Sequence, residues 1–589
     1  MRPFVGRGRL LVRGALLRPA RVRSPSVGKE AQVADSSTNL ITGRSAFLSL
    51  LRDEGVRTLF GNPGTTELPI MHALTEQDDI GYVMGLQESI VVAMADGYAR
   101  ASGELAACNV HVAPGLGNAI GTLYTAYVSG SPIIITAGQQ EQGHGLTEPL
   151  LYAPLVPIAQ PVVKWAVEVT QLEDLPRIMH RAAKIAMTPP TGPVFISLPG
   201  DILNREGPLD LGAATRVDTA TRPSADAVES LATRILEAKA PVLIAGHEIV
   251  TSDALDEMIA LADALGAPVY QQTIQDGAHF RSEHPAFLGA LGRNQPQVRE
   301  LLAPYDLMLC IGADVLKMSV YSEVDPLPDT LPVIQIGLRD WELGKNYPAV
   351  MAFKADVRET LRDLVPALTR LGGETLAAKA TRSIEALAES NWTAQRVRLA
   401  AAAEENATES PMAPNWLMKA LVDQLPENAI VVDEGLTTAQ PLLSFLPLRE
   451  RYDYFGNTSG GIGWGIAAAV GVQLAQPERR VVAVIGDGSA MYSIQALWSA
   501  AKQRLPMIFV IANNGGYRII KQRLKSFHGN EQFIGMDFEQ PAIDPAGLAE
   551  AFGMKALRAT TPAEFEDAMQ NAVAGEEPVL IDALVQGHV

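Results

Sequence analysis

Short continuous apolar runs, separated by amphipathic stretches of helical period, constrain this chain more than any other feature of its sequence. LAACNVHV and SPIIITAG lie near the start, PVLIAG, LMLCIGAD and PVIQIG in the middle, and AIVVDEG, RVVAVIGDG and PMIFVIANN near the end. They lack the polar alternation of a half-exposed strand. A strand apolar on both faces must be covered on both, which parallel sheets with helices on each side achieve. The pattern predicts an α/β chain of three doubly wound parallel-sheet units. Gly, Pro, Asp and Thr interrupt it at Asn204–Ala225 and again at Gly372–Pro414, which read as linkers. The expected bounds are a disordered basic extension over 1–38, a first unit over 39–205, a central Rossmann-like unit over 222–370 and a third unit over 412–589.

Composition narrows the function classes. Of 589 residues 47% are hydrophobic and 19% charged, enough for several cores and far from the signature of disorder. The excess of 66 acidic over 48 basic residues, net −18, argues against nucleic acid or an anionic membrane as partner, since either demands a basic stripe. No window reaches the roughly 18 apolar residues of a membrane span. Cys108 and Cys310 sit in apolar runs and read as core thiols of a protein kept in a reducing compartment, so the expected location is cytoplasmic. Arg2, Arg7, Arg9, Arg13, Arg18, Arg21 and Arg23 all precede the first acidic residue. That is the composition of a transit peptide, but Pro and Gly break the apolar runs and no clear cleavage site follows.

The sharpest local signal is GDGS at Gly486–Ser489, followed by a helix and a strand ending in Asn513 and Asn514. An aspartate ending one parallel strand and an amide ending its neighbour place two oxygen ligands side by side at the carboxyl edge, where ligands of open α/β sheets bind. Hard oxygen donors beside a glycine-lined backbone suit Mg²⁺, which takes few protein ligands and completes its shell with phosphate oxygens. Ser489 is placed to donate to such a phosphate.

The GDGS and NN pair resembles the cofactor motif of thiamine-diphosphate-dependent enzymes. Phe60–Pro69 (FGNPGTTELP), Leu86–Glu88 (LQE), Asn109–Gly121 (NVHVAPGLGNAIG) and Ala137–Gln140 (AGQQ) resemble the benzoylformate decarboxylase group within that superfamily, from about Thr42 to the C-terminus. The resemblance implies pyrimidine-binding, central and diphosphate-binding domains in that order. It implies that Glu88 bonds the aminopyrimidine of thiamine diphosphate, that Ile462 folds the cofactor and that Gly460 offers it a carbonyl. Asp487, Asn514 and the carbonyl of Gly516 would hold Mg²⁺. Thr437, Thr438, Gly486, Gly488, Ser489 and Tyr517 would lie near the diphosphate. His111 and His284 match proton-transfer histidines, and Thr65 replaces a serine that contacts the substrate carboxylate.

The implied activity is non-oxidative decarboxylation of a benzoylformate-like 2-oxo acid to an aldehyde and CO₂. The rival is an acetolactate-synthase-like carboligase, or a 2-hydroxyacyl(-CoA) lyase, using the same cofactor. His111 disfavours the acetolactate synthase branch, which lacks that histidine and carries a flavin. The resemblance also implies a homodimer at minimum, with a homotetramer preferred, because the glutamate and the diphosphate site of one centre come from different subunits. Two departures bear on the substrate. Gly456 stands where an aromatic residue is expected, and Arg523, near Lys521 and Lys525, stands where another is. Either exposed charges or a wider pocket accepting a second anionic group, such as an acyl-CoA, would explain them.

Overall fold

The computed structural model describes residues 40–589; the basic extension expected over 1–38 lies outside the described residues. Three six-stranded sheets, each parallel throughout, account for the apolar runs. In the first unit they are β1 (Thr58–Gly61), β2 (Gly81–Met84), β3 (Ala106–Val110), β4 (Ile133–Gln139), β5 (Trp165–Glu168) and β6 (Val194–Pro199), ordered β2-β1-β3-β4-β6-β5. The central unit has β7 (Pro241–Ala245), β8 (Val269–Gln271), β9 (Phe287–Ala290), β10 (Leu307–Ile311), β11 (Val333–Gly337) and β12 (Ala349–Lys354), ordered β9-β8-β7-β10-β11-β12. The third has β13 (Ile430–Glu434), β14 (Tyr454–Gly456), β15 (Val481–Gly486), β16 (Ile508–Asn513), β17 (Lys555–Ala559) and β18 (Val579–Leu584), ordered β14-β13-β15-β16-β18-β17.

The first and third sheets therefore share one strand order, whereas the central sheet has that of a dinucleotide-binding fold. The residues of β3, β4, β7, β10 and β15 are all buried, as strands covered on both faces require. Cys108 and Cys310 lie in β3 and β10, where burial pushes both thiols well above their ordinary range.

Five helices position the candidate site: α1 (Glu88–Ser102), α2 (Val112–Ser129), α3 (Gly465–Ala475), α4 (Asp487–Ser493) and α5 (Arg518–His528). The Gln87 side chain caps α1 by accepting from the Ser89 N–H, and Gly103 ends the helix with φ 70°. α1 and α3 cross at backbone contact. A Cβ on Gly97 would sit 2.1 Å from the Ala468 carbonyl oxygen, and one on Gly471 would sit 1.9 Å from that of Met94. Only glycine permits this approach. Beside the crossing, Trp464 Nε1 donates to the buried Asp96 at 2.6 Å, and Arg100 lies over the Trp464 ring at 4.9 Å. Arg100 also donates to the carbonyls of Gly456 (3.2 Å) and Asp276 (2.8 Å), so one guanidinium joins all three units.

The connection after the first unit is pinned by the buried carboxylate of Glu54, which pairs with Arg216 and with His180 Nδ1; His180 Nε2 bonds the Leu211 carbonyl. Burial draws the His180 pKa down, but these two hydrogen bonds outweigh it and the net shift is upward from 6.5. A raised histidine contributes stability that is complete below its unfolded value and is lost as pH rises through its folded value. His180→Gln is therefore expected to cost more stability in urea denaturation at about pH 6 than at about pH 9; an equal loss at both would refute a protonated His180.

Candidate functional site

Parallel strands bring their carboxyl ends to one edge, and the third sheet gathers most of the sequence-predicted residues there. Gly486 ends β15, and Asp487 opens α4 directly after it. Asp487 is 3% exposed, and its carboxylate accepts from the N–H groups of Gly488 (2.9 Å), Gly515 (2.8 Å) and Gly516 (3.1 Å). Burial nevertheless pushes its pKa up to about 6. Asn514 follows β16 and donates through Nδ2 to Thr438 Oγ1 at 3.4 Å. Gly488 has the Tyr517 ring 2.7 Å from where a Cβ would be, and Tyr517 packs edge-on against Phe538 at 4.8 Å. The segment carrying Phe538 closes over the loop, with the Phe538 N–H donating to the Gly515 carbonyl and the Tyr517 N–H to that of Met536. The Gly516 carbonyl accepts from the Arg518 N–H at 3.0 Å.

Two buried side-chain atoms here have no partner among the described residues, Ser489 Oγ and Asn514 Oδ1. Buried polar atoms are normally satisfied, so this pair marks a place built for a polar ligand. One carboxylate, one free amide oxygen and a carbonyl suit Mg²⁺ completed by phosphate oxygens. Among the described residues no cluster of three or more His, Cys, Asp or Glu offers an all-protein metal cage. Thr437 is half-buried beside Thr438, and the preceding Leu436 holds φ 48°, a left-handed conformation that non-glycine residues adopt only under constraint.

The turn 459–464 follows β14. Gly460 holds φ 78°, and Ile462 is half-buried. Glu434, at the end of β13, fixes this turn: its carboxylate accepts from the N–H groups of Gly463 (3.0 Å), Trp464 (3.2 Å) and Gly465 (3.0 Å) and from Asn457 Nδ2 (2.7 Å). Burial raises its pKa to about 7 despite those donors. Sequence reasoning passed over Glu434; its signal was an acidic residue ending the apolar run AIVVDE.

The first unit carries a second cluster. His111 ends the extended segment after β3, with Nδ1 2.7 Å from Glu67 Oε2 and 3.2 Å from Thr66 Oγ1. Glu67 is 1% exposed and also accepts from the N–H groups of Gly64 (3.0 Å) and Gly138 (2.9 Å) and from the Thr66 hydroxyl (2.7 Å). Gly64 is required, since a Cβ there would overlap the His111 ring. Val112, next to His111, is a β-branched residue at φ 39°, a second strained position beside a candidate group. Glu67 and Thr66 are further residues that the sequence reading did not single out. Thr65, which it did, is exposed on the turn Thr65–Glu67, and the hydroxyl on His111 is that of Thr66.

Glu88 opens α1, is 8% exposed and accepts from Asn118 Nδ2 at 3.0 Å. It lies against Gly115 and Asn118 near the start of α2. The turn around Gly460 bonds the far end of the same helix, through Ser459 to Thr125 and Thr458 to Ser129, each at 2.8 Å. These anchor points are separated by roughly ten residues, about 15 Å at the rise of an α-helix. Within one chain, Glu88 and the Gly460–Ile462 turn are held apart.

Two expectations are corrected. His284 is not brought to either cluster. Between parallel β8 and β9 the chain must return from the carboxyl edge to the amino edge, and His284, three residues before β9, is on the return side. Its Nε2 pairs with Asp263 at 3.1 Å, its ring packs edge-on against Phe280, and neighbouring Ser282 bonds Leu448, ahead of the amino end of β14. On the outgoing side of the same connection lies His279, fully buried and 2.9 Å from Asp276. Gly456, in turn, does not widen a pocket: a Cβ there would lie 2.3 Å from the Gln275 carbonyl oxygen and 3.1 Å from the Tyr454 hydroxyl. The central unit already fills that space. Of the nearby cations, Lys521 pairs with Asp537, Lys525 with Glu531 at 3.0 Å, and Arg523 lies over Phe527 at 5.7 Å.

In the central sheet Glu248 follows β7 at the carboxyl edge, where ligands of this strand order bind, and with His247, Leu338 and Arg339 it lines a cavity of about 470 Å³. The Glu248 carboxylate accepts from the N–H groups of Leu338 (2.7 Å) and Arg339 (3.3 Å), and a Cβ on Gly312 would lie 2.6 Å from the Glu248 Cβ.

The two clusters and three sheets define a class, and comparison with known proteins agrees with it. Family profiles for the N-terminal TPP binding domain, central domain and C-terminal TPP binding domain of thiamine pyrophosphate enzymes match residues 41–149, 228–364 and 437–583. The chain belongs to the thiamine pyrophosphate enzyme family. It is 35% identical to the benzoylformate decarboxylase of Pseudomonas aeruginosa over 92% of this chain and 99% of that protein. A probable acetolactate synthase large subunit of Methanocaldococcus jannaschii is 26% identical over 92% of each. Among solved structures, a thiamine diphosphate-dependent 4-hydroxybenzoylformate decarboxylase of Rhodococcus jostii RHA1 superposes with a TM-score of 0.80 at 31% identity, covering 93% of this chain and 100% of that one. The benzoylformate decarboxylase of Polynucleobacter necessarius gives 0.82 at 28% identity, covering 93% and 99%.

If the central unit fills the space at position 456, Gly456→Ala should lower stability to chemical denaturation by about 1–3 kcal/mol through overpacking. Unchanged stability would restore the wider pocket.

Proposed function

We propose that this thiamine-diphosphate-dependent enzyme decarboxylates a benzoylformate-like 2-oxo acid to an aldehyde and CO₂, with Mg²⁺ as its metal. The observation that carries the reading is His111, held through Nδ1 by the buried Glu67 and by Thr66, with no hydrogen bond to Nε2 among the described residues. A ring fixed at one nitrogen presents the other to a substrate in a set direction, as proton transfer requires.

Thiamine diphosphate, when bound, supplies a carbon nucleophile and an electron sink for the departing carboxylate. The chain's residues then have distinct tasks. Glu88 holds a proton at the aminopyrimidine ring, Ile462 shapes the cofactor's fold, and the Gly460 carbonyl receives its amine. Asp487, Asn514 and the Gly516 carbonyl hold Mg²⁺, while Thr437, Thr438, Ser489 and Tyr517 surround the diphosphate and Gly486 and Gly488 admit it. His111 orients the substrate carboxylate and later delivers a proton to the product carbon, with the Thr65 hydroxyl reaching the same carboxylate. An acyl-CoA substrate loses its support with Lys521 and Lys525 already paired.

Purified protein with thiamine diphosphate and Mg²⁺ is expected to release CO₂ from benzoylformate or a related aryl 2-oxo acid with one equivalent of aldehyde. Glu88→Gln should slow turnover by roughly 10²–10⁴-fold. No CO₂ from any 2-oxo acid, with cofactor demonstrably bound, would overturn the reading.

The separation of Glu88 from the Gly460–Ile462 turn supports a centre shared between two copies, and hence a homodimer at least, with a homotetramer preferred. Exposed Leu86, Tyr124 and Tyr127, around Glu88 and along α2, offer a second copy an apolar surface. Mixing inactive Glu88→Gln and Asp487→Ala chains under exchange conditions should restore about a quarter of parental activity per site, by random pairing of two copies. A mixture as inactive as its parts would refute a shared centre.

A further inference from the structure

A cavity of about 510 Å³ opens beside the diphosphate end of the candidate site. Thr437 and Arg518 form its wall toward the site, and Gln440, Gln522, Gln586 and His588 line the remainder. Arg518 directly follows Tyr517, and its backbone N–H bonds the Gly516 carbonyl. Its side chain is unusual for a partly buried cation. The Nε atom is shielded from solvent and has no hydrogen-bond partner, and no carboxylate of the described residues lies within ion-pair distance of the guanidinium. The cavity's own carboxylate, Glu409, is engaged by Gln586 Nε2 at 2.5 Å. Desolvating a charge without a partner costs free energy that an arriving anion offsets, and a guanidinium matches phosphate oxygens better than any other side chain.

We infer that Arg518 is a phosphate-binding residue of this enzyme, holding the terminal phosphate of thiamine diphosphate from the cavity side, opposite Asp487 and Asn514. The inference rests on the cofactor class and not on the identity of the substrate. Arg518 would add a positive charge to the site in which Asp487 and Asn514 would hold the metal. The unpaired Ser489 Oγ and Asn514 Oδ1 lie at the same sheet edge. The cavity gives the phosphate an approach from solvent.

Equilibrium binding, followed by intrinsic tryptophan fluorescence with Mg²⁺ present, tests this without turnover. Arg518→Ala should weaken thiamine diphosphate by roughly 10- to 100-fold, as expected for a charge-assisted hydrogen bond, while unphosphorylated thiamine binds as in the parent. Arg518→Lys should recover part of the loss, and raising the salt concentration should weaken the parent more steeply than the Ala variant. The melting temperature without cofactor should be unchanged or higher in Arg518→Ala, because an uncompensated buried charge has been removed; with cofactor it should fall. Equal thiamine diphosphate affinity in parent and Ala variant would overturn the assignment. So would an equal loss for thiamine and its diphosphate, which would mark a structural role. Weaker binding of inorganic phosphate with unchanged binding of thiamine diphosphate would also overturn it, making the cavity a separate phosphate site.

Discussion

The crossing of α1 and α3 at Gly97 and Gly471 is the constraint on which the rest of the molecule depends. Backbone carbonyls meet the glycines at distances that exclude any Cβ, so the first and third units are held in one relative placement rather than a range of them. That placement sets the Asp96–Trp464 hydrogen bond and carries Arg100 to the carbonyls of Gly456 and Asp276. The turn bearing Gly460 and Ile462 begins where those contacts end. Its geometry is set from two sides, by Glu434 of its own unit and by Thr125 and Ser129 of the first.

The same placement explains why the candidate centre is divided. α2 meets Glu88 at one end and Ser459 and Thr458 at the other, a rod that keeps Glu88 away from the Gly460–Ile462 turn of its own chain. The identical strand order of the first and third sheets gives this division a simple basis. Two similar units packed about a tight helix crossing present like edges in different directions, and a second copy of the chain can set unlike edges face to face.

Much of this was legible in the sequence because it is local. Continuous apolar runs specify buried parallel strands, and Asp487 and Asn514 fall at the ends of adjacent strands because one crossover separates them. Glu88, Gly460 and Ile462 were found as parts of contiguous motifs. What was not legible depends on chain direction or on contact between units. His284 looked equivalent to His111 until the return path between β8 and β9 placed it at the opposite edge. Gly456 read as a missing aromatic wall because nothing in its own segment reveals the Gln275 carbonyl against it. Glu67 and Glu434 were passed over since their value lies in the backbone N–H groups they collect from distant segments, and backbone donors leave no mark in a sequence.

These collected donors also show how the centre is paid for. Asp487, Glu434 and Glu67 are each desolvated and each met by three or more hydrogen bonds that fix the loops around them, and burial still holds Asp487 and Glu434 above the usual carboxylate range. Ser489 Oγ, Asn514 Oδ1 and Arg518 Nε are desolvated and not offset. An apolar group in the place of any of the three would avoid an unmet desolvation. Their common neighbourhood is accounted for by a ligand that is itself anionic and rich in oxygen, bringing a cation with it. The three unmet atoms and the GDGS motif thus support one proposal, a site for the anionic end of the cofactor, by separate routes.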